Sequence, residues 1–167
     1  MALSSKLHDL IVRDPGRVLG ASDLRELDEK FKRIDVDGDG EITRVELRAA
    51  LGGDETAPFV TESRVDAFLR DVDLDGDGQL TFEELVSSTA LHRAATLMAR
   101  LEHELEARDA RCETGGIAEP LLDDLLEIMG LDDWAARAAI VADVDRGQDG
   151  LVHPEALLLA FFTARKA

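Results

Sequence analysis

Asp35-Val36-Asp37-Gly38-Asp39-Gly40-Glu41-Ile42-Thr43-Arg44-Val45-Glu46 decides how this chain is read. Numbered one to twelve, the stretch puts carboxylates at positions one, three, five and twelve. A Gly at six supplies the positive φ with which a backbone wraps around a cation. The same pattern recurs in Asp73-Leu74-Asp75-Gly76-Asp77-Gly78-Gln79-Leu80-Thr81-Phe82-Glu83-Glu84. Hard oxygen donors at these intervals suit Ca2+, which takes roughly six to eight oxygens in a flexible cage. Two matches at every constrained position, each flanked by helix-like sequence, leave little room for coincidence, and two calcium sites are expected.

The chain has 167 residues, of which 45% are hydrophobic, enough for a buried core in one domain or two small ones. Its net charge of −17 argues against nucleic acid and anionic membrane surfaces as partners. The longest basic cluster, Lys30, Lys32 and Arg33, is short and interleaved with acids. Part of the negative charge belongs to the loops, whose carboxylates repel one another until a cation relieves them. Cys112 is the only cysteine, so no intramolecular disulfide can form, and it reads as a small apolar filler. No apolar run approaches the roughly 20 residues of a membrane span. The N-terminus lacks the apolar stretch of a signal peptide, and Ala2 stands where myristoylation needs Gly. A cytoplasmic monomer is expected.

Three regions follow from the pattern. Residues 1–20 form an amphipathic arm with Leu3, Leu7, Leu10 and Ile11 at helical spacing, ended by Asp14-Pro15-Gly16. It is expected to pack against the body, with a mobile arm covering a groove as the alternative. Residues 21–90 hold the two complete loops. A helix capped by Ser22 carries Leu24, Leu27, Phe31 and Ile34 into the first, and Leu47, Ala50 and Leu51 lead out toward Gly52-Gly53. After a linker through Pro58, a helix capped by Thr61 brings Val65, Phe68, Leu69 and Val72 to the second loop, which exits through Leu85 and Val86. Ile42 and Leu80, both at position eight, suit a short antiparallel contact between the loops.

Residues 91–167 repeat the plan with its ligands missing. Leu91, Ala94, Met98, Leu101 and Leu105 mark an incoming helix, Gly115-Gly116-Ile117 a loop centre, and Leu121, Leu122, Leu125, Leu126 and Met129 an exit helix. Ile117 as position eight starts this loop at Ala110, with Cys112, Thr114 and Leu121 at ligand positions. Leu105, four before a loop, starts it at Asp109 instead. An insertion reconciles the two, and neither frame has the final Glu. The fourth unit runs through Trp134, read as an anchor of its incoming helix, with Ile140, Val141 and Val144. Its loop, Asp145 to Ala156, keeps Asp145, Asp149 and Gly150 but has Gly147 at three and Ala156 at twelve, so no ion is expected there. Glu155 lies one residue early. Val152 pairs with Ile117 in the expected geometry, and Pro120 and Pro154 open exit helices, where their missing N–H is harmless.

Four such units in two pairs resemble the EF-hand superfamily, in particular its calmodulin-like and sarcoplasmic calcium-binding-protein-like four-hand members, over roughly residues 22–165. The resemblance implies an all-α fold of four helix-loop-helix units in two pairs, with two-residue β contacts between paired loops. It also implies that Asp35, Asp37, Asp39 and Glu46 are side-chain ligands of the first ion, with the Glu41 carbonyl. Asp73, Asp75, Asp77 and Glu84, with the Gln79 carbonyl, serve the second, and Thr43 and Thr81 act through a bridging water. Calmodulin-like grooves are rich in methionine, whereas here only Met1, Met98 and Met129 occur. That departure implies a narrow target range or a groove filled by the chain's own segments.

The expected function is a calcium sensor that binds two ions in the N-terminal pair and regulates a protein or amphipathic-helix target. The alternatives are a calcium buffer and an interaction subunit whose calcium-free C-terminal lobe grips a helix constitutively. An enzyme is not expected, since His8, His92, His103 and His153 are dispersed and fall in no metal or triad motif.

Overall fold

A computed structural model of the chain describes residues 3–52, 61–107, 116–148 and 150–164. Among the described residues the fold is all-α apart from a two-stranded antiparallel sheet and one isolated antiparallel bridge. Among the described residues no helix is long and apolar enough to cross a membrane. Two compact units divide the chain: Leu19–Ala90, and Met1–Val18 together with Leu91–Ala167.

In the unit Leu19–Ala90, α2 (Ala21–Ile34) enters the first loop, and β1 (Glu41–Ile42) and α3 (Arg44–Gly52) leave it. Here α1 denotes the arm helix Ser5–Arg13, which belongs to the other unit. The second loop lies between α4 (Glu62–Val72) and β2 (Leu80–Thr81). β1 and β2 pair antiparallel, Glu41 opposite Thr81 and Ile42 opposite Leu80, as the apolar residues at position eight predict. Below this contact Phe31, Ile42, Leu47, Val65, Leu69, Val72 and Leu80 form the core. Phe31 meets Phe82 edge-on with ring centroids 5.6 Å apart. The cap of α2 is Gly20 rather than Ser22: the Asp23 carboxylate accepts from the Gly20 N–H at 2.9 Å, which leaves Ser22 inside the first turn. Thr61 stands at the cap of α4, but its side chain makes no cap bond. The linker through Pro58 lies outside the described residues.

The exit from the second loop does not stop near Val86. Helix α5 runs unbroken from Phe82 to Ala107, and the boundary between the units falls inside it. Neither Gly nor Pro interrupts this stretch. Val86, Ala90, Ala94, Met98, Leu101 and Leu105 make one buried stripe along it at helical spacing.

In the other unit, α6 (Glu119–Ile128), α7 (Trp134–Asp143) and α8 (Pro154–Ala164) surround Leu122, Leu125, Leu126, Ile140, Leu157, Leu158, Phe161 and Phe162, all buried. Ile117 and Val152 form an antiparallel bridge, the Ile117 N–H donating to the Val152 carbonyl at 2.8 Å. Pro120 and Pro154 sit in the first turns of α6 and α8, as expected. Gly116 has a packing role, because a Cβ there would lie 2.5 Å from the Leu151 Cβ. Trp134 anchors nothing: it is 73% exposed at the start of α7. Instead Arg137, in the same helix, ties the connection together by donating to the Asp123 carboxylate at 2.9 Å and to the Leu131 carbonyl at 3.0 Å. The arm belongs to this unit. Leu7 and Ile11 of α1 are almost fully buried, while Leu3 and Leu10 are half-buried.

Candidate metal centres

Each complete loop is built around its first aspartate, which closes the turn by accepting from the loop backbone. Asp35 takes the Gly38 N–H on Oδ1 at 2.7 Å and the Gly40 N–H on Oδ2 at 3.1 Å. Asp73 does the same with Gly76 and Gly78, at 2.6 and 2.9 Å. The next carboxylates continue the pattern: Asp37 accepts from Asp39 N–H, Asp39 from Glu41 N–H, Asp75 from Asp77 N–H and Asp77 from Gln79 N–H. Gly40 and Gly78 at position six have φ of 90° and 86°, a region that a side chain would make costly. Glu41 and Gln79, the position-seven residues, lie in and just before the paired strands.

The twelfth residue of each loop has two duties. Thr43 and Glu46 form a reciprocal capping box at the start of α3: the Glu46 carboxylate accepts from Thr43 N–H at 2.9 Å and from the Thr43 hydroxyl at 2.7 Å. In return the Thr43 hydroxyl accepts from Glu46 N–H at 3.4 Å. Thr81 and Glu84 repeat this at α5, with Oε2 accepting from Thr81 N–H at 2.9 Å and from its hydroxyl at 2.8 Å. The other carboxylate oxygen spans the loop, accepting from Val36 N–H at 2.8 Å in the first and from Leu74 N–H at 2.9 Å in the second. The threonine hydroxyls thus turn to the glutamates. The Thr-x-x-Glu spacing that announces both boxes is present in the sequence, where Thr43 and Thr81 were assigned only a water-bridging role.

These bonds shape the electrostatics. Glu46 is pulled from 4.5 to about 2, first by the Thr43 N–H, then by the Thr43 hydroxyl and the Val36 N–H. Because its folded value is depressed, the stabilisation is present above pH 4.5 and is lost as pH falls toward 2. At Glu84, burial pushes the carboxyl up, but the bonds from Thr81, Leu74 and Asp75 outweigh it and the pKa is lowered. Asp37 goes the other way. The Asp39 N–H lowers it, yet desolvation and the charges of Asp39, Glu46 and Asp35 together raise it.

Three of the four carboxylates converge in each loop, though not the same three. Oxygens of Asp35, Asp37 and Asp39 lie within 4.8 Å of one another, and so do oxygens of Asp73, Asp75 and Glu84. Glu46 and Asp77 stand outside these groups. The donors are all oxygen, with no sulfur or imidazole among them, which fits Ca2+ or Mg2+ rather than zinc or copper.

The loop between α7 and α8 closes differently. Gly150 keeps a φ of 76°, but its N–H donates to the Gly147 carbonyl at 2.9 Å, and the Gly147 N–H donates to the Leu151 carbonyl at 2.8 Å. Asp145 is exposed, and Glu155 accepts from Ser4 N–H at 2.9 Å instead of serving the loop. Asp149, and the third-loop positions Asp109, Ala110, Cys112, Thr114 and Gly115, lie outside the described residues.

Residues 24–89 match the family model of the EF-hand domain pair. No curated protein matches the chain. The matched segment contains both acidic clusters and the β1–β2 contact between them. Together the family match and the clustered loop carboxylates support assignment to the EF-hand superfamily, with residues 24–89 as its EF-hand pair.

Proposed function

We propose that the protein is an intracellular calcium sensor that takes two ions in its EF-hand pair and regulates a protein partner. In this reading Asp35, Asp37, Asp39 and Glu46, with the Glu41 carbonyl, hold one ion. Asp73, Asp75, Asp77 and Glu84, with the Gln79 carbonyl, hold the other. Bound Ca2+ supplies the positive charge that lets the clustered carboxylates stand together.

The observation that carries the sensor reading is the position of Glu84. Its carboxylate shares a cluster with Asp73 and Asp75, while its backbone lies in the first turn of α5. A movement of that carboxylate larger than its side-chain torsions can take up moves the start of a 26-residue helix. Glu84 is only 8% exposed, and Phe82 and Leu85 beside it pack on the core, so such a movement must repack apolar side chains.

The buffer reading draws on one observation: the core below the two loops contains Phe, Ile, Leu and Val and no methionine, so it is less adaptable than a promiscuous groove. A calcium titration in the presence of an apolar dye separates the two. Dye binding that rises in step with saturation is the sensor outcome. Saturation without a rise makes the protein a buffer, and absence of saturable binding defeats both.

A further inference from the structure

The two acidic loops differ most at position ten, the first residue of each exit helix: Arg44 opens α3 and Phe82 opens α5. Position twelve gives no such contrast in its bonds. Glu46 accepts from the Val36 N–H, the Thr43 N–H and the Thr43 hydroxyl. Glu84 accepts from the matching Leu74 N–H, Thr81 N–H and Thr81 hydroxyl. These bonds cancel when the loops are compared, and position ten remains.

Arg44 brings a positive charge into the first loop. Each loop holds five acidic residues, but Arg44 leaves the first with a net charge of −4 against −5 in the second. The ion pair of Arg44 with Asp66 of α4 offsets that charge only in part, because both side chains stand nearly half in solvent. Phe82 does the opposite. Its ring packs on the core and meets Phe31 edge-on with centroids 5.6 Å apart, which pins the end of the second loop. Glu84, two residues on, is 8% exposed, whereas Glu46 is half-buried. Opposite charges attract more strongly where water is excluded, so charge and burial both favour the second loop.

We propose that the second loop takes Ca2+ before the first and that Arg44 and Phe82 set this order, which presupposes the reading of both loops as calcium sites. Neither residue is a ligand. Arg44 weakens the first site by its charge, and Phe82 strengthens the second by holding the start of α5 against the core. The order creates a half-loaded state, with an ion at the start of α5 and none at the start of α3, over a range of Ca2+ concentration.

The test is a Ca2+ titration of the metal-stripped, 15N-labelled full chain, followed at the Gly40 and Gly78 amides. Each of these N–H groups donates to the first aspartate of its own loop and so reports that loop alone. The Gly78 signal should reach half its change at a Ca2+ concentration at least about threefold below that for Gly40, the size expected for one unit of charge acting on a divalent ion. Coincident midpoints, or Gly40 first, overturn the order and leave the calcium reading standing. No change at either amide defeats the calcium reading, and the order falls with it. Two variants probe position ten. Arg44→Gln should lower the Gly40 midpoint by about threefold at low salt and by less at high salt, a dependence that repacking alone would not produce. Phe82→Leu, which keeps an apolar side chain, should raise the Gly78 midpoint. An unmoved Gly40 midpoint, a shift that ignores salt, or an unmoved Gly78 midpoint overturns the role given to that residue.

Discussion

In the second loop the Gly78 N–H donates to the Asp73 carboxylate at 2.9 Å, whereas in the fourth the equivalent Gly150 N–H donates to the Gly147 carbonyl, also at 2.9 Å. Both turns are closed and both glycines have positive φ. The difference lies in what closes them. A carboxylate that organises a loop keeps a negative charge at its centre and stays poised for a cation, while a carbonyl satisfies the same N–H without accumulating charge. The two paired-loop contacts survive alike, β1 with β2 and Ile117 with Val152. Closing a turn and gathering charge are therefore separable in this chain: both turns close, but among the described residues carboxylates cluster only in Asp35–Glu46 and Asp73–Glu84.

The sharpest way to break this separation is to damage one pair and read the other. Replacing Phe162 by Ala removes a fully buried ring from the unit that holds α6, α7 and α8 and should cost about 3–5 kcal/mol of that unit's stability. Calcium affinity of the intact loops, by calorimetry below the unfolding temperature, should be unchanged. The converse is Glu84→Gln, which turns a charged oxygen pair into a neutral amide. Since losing even a residue that only supports a ligand costs 10–100-fold, affinity at this site should fall by about 100-fold or more. Thermal unfolding of the other unit should stay where it was.

Smaller effects refine the comparison. Gly116→Ala forces a Cβ to 2.5 Å from Leu151 and should destabilise the unit that holds α6, α7 and α8 by about 1–3 kcal/mol in denaturant unfolding. An alanine that cost nothing would mean the Ile117–Val152 contact does not depend on that close approach. Asp145→Ala should have the least effect. Asp145 is exposed and Gly150 closes on a carbonyl, so the calcium isotherm of the variant should overlay that of wild type. A lost or weakened ion would mean the fourth loop chelates after all.

How far the residues foretold this molecule depended on the range of the interaction. The acidic loops were legible because their carboxylates find N–H partners inside the same twelve residues, as Asp35 does at Gly40 and Glu46 at Val36. The pairing of Ile117 with Val152 was legible for a related reason: one apolar residue at a fixed loop position suffices to place the contact. The continuity of α5 was missed because a boundary at Leu91 completed the repeat, although nothing between Leu80 and Thr114 breaks a helix. Trp134 reads as an anchor of the helix it opens, but the first position of α7 faces solvent. Glu155 could not have been read at all. Its partner, the backbone of Ser4, is 151 residues away and carries no side-chain signature.

On the proposed reading, calcium binds at Asp35–Glu46 and at Asp73–Glu84, the two places where carboxylates cluster among the described residues. Isothermal titration of the metal-stripped protein with Ca2+ tests it most directly. Two ions per chain are expected for wild type and one for either Glu46→Gln or Glu84→Gln at concentrations that saturate the intact site. Three or four ions in wild type, or two retained in either variant, would contradict it.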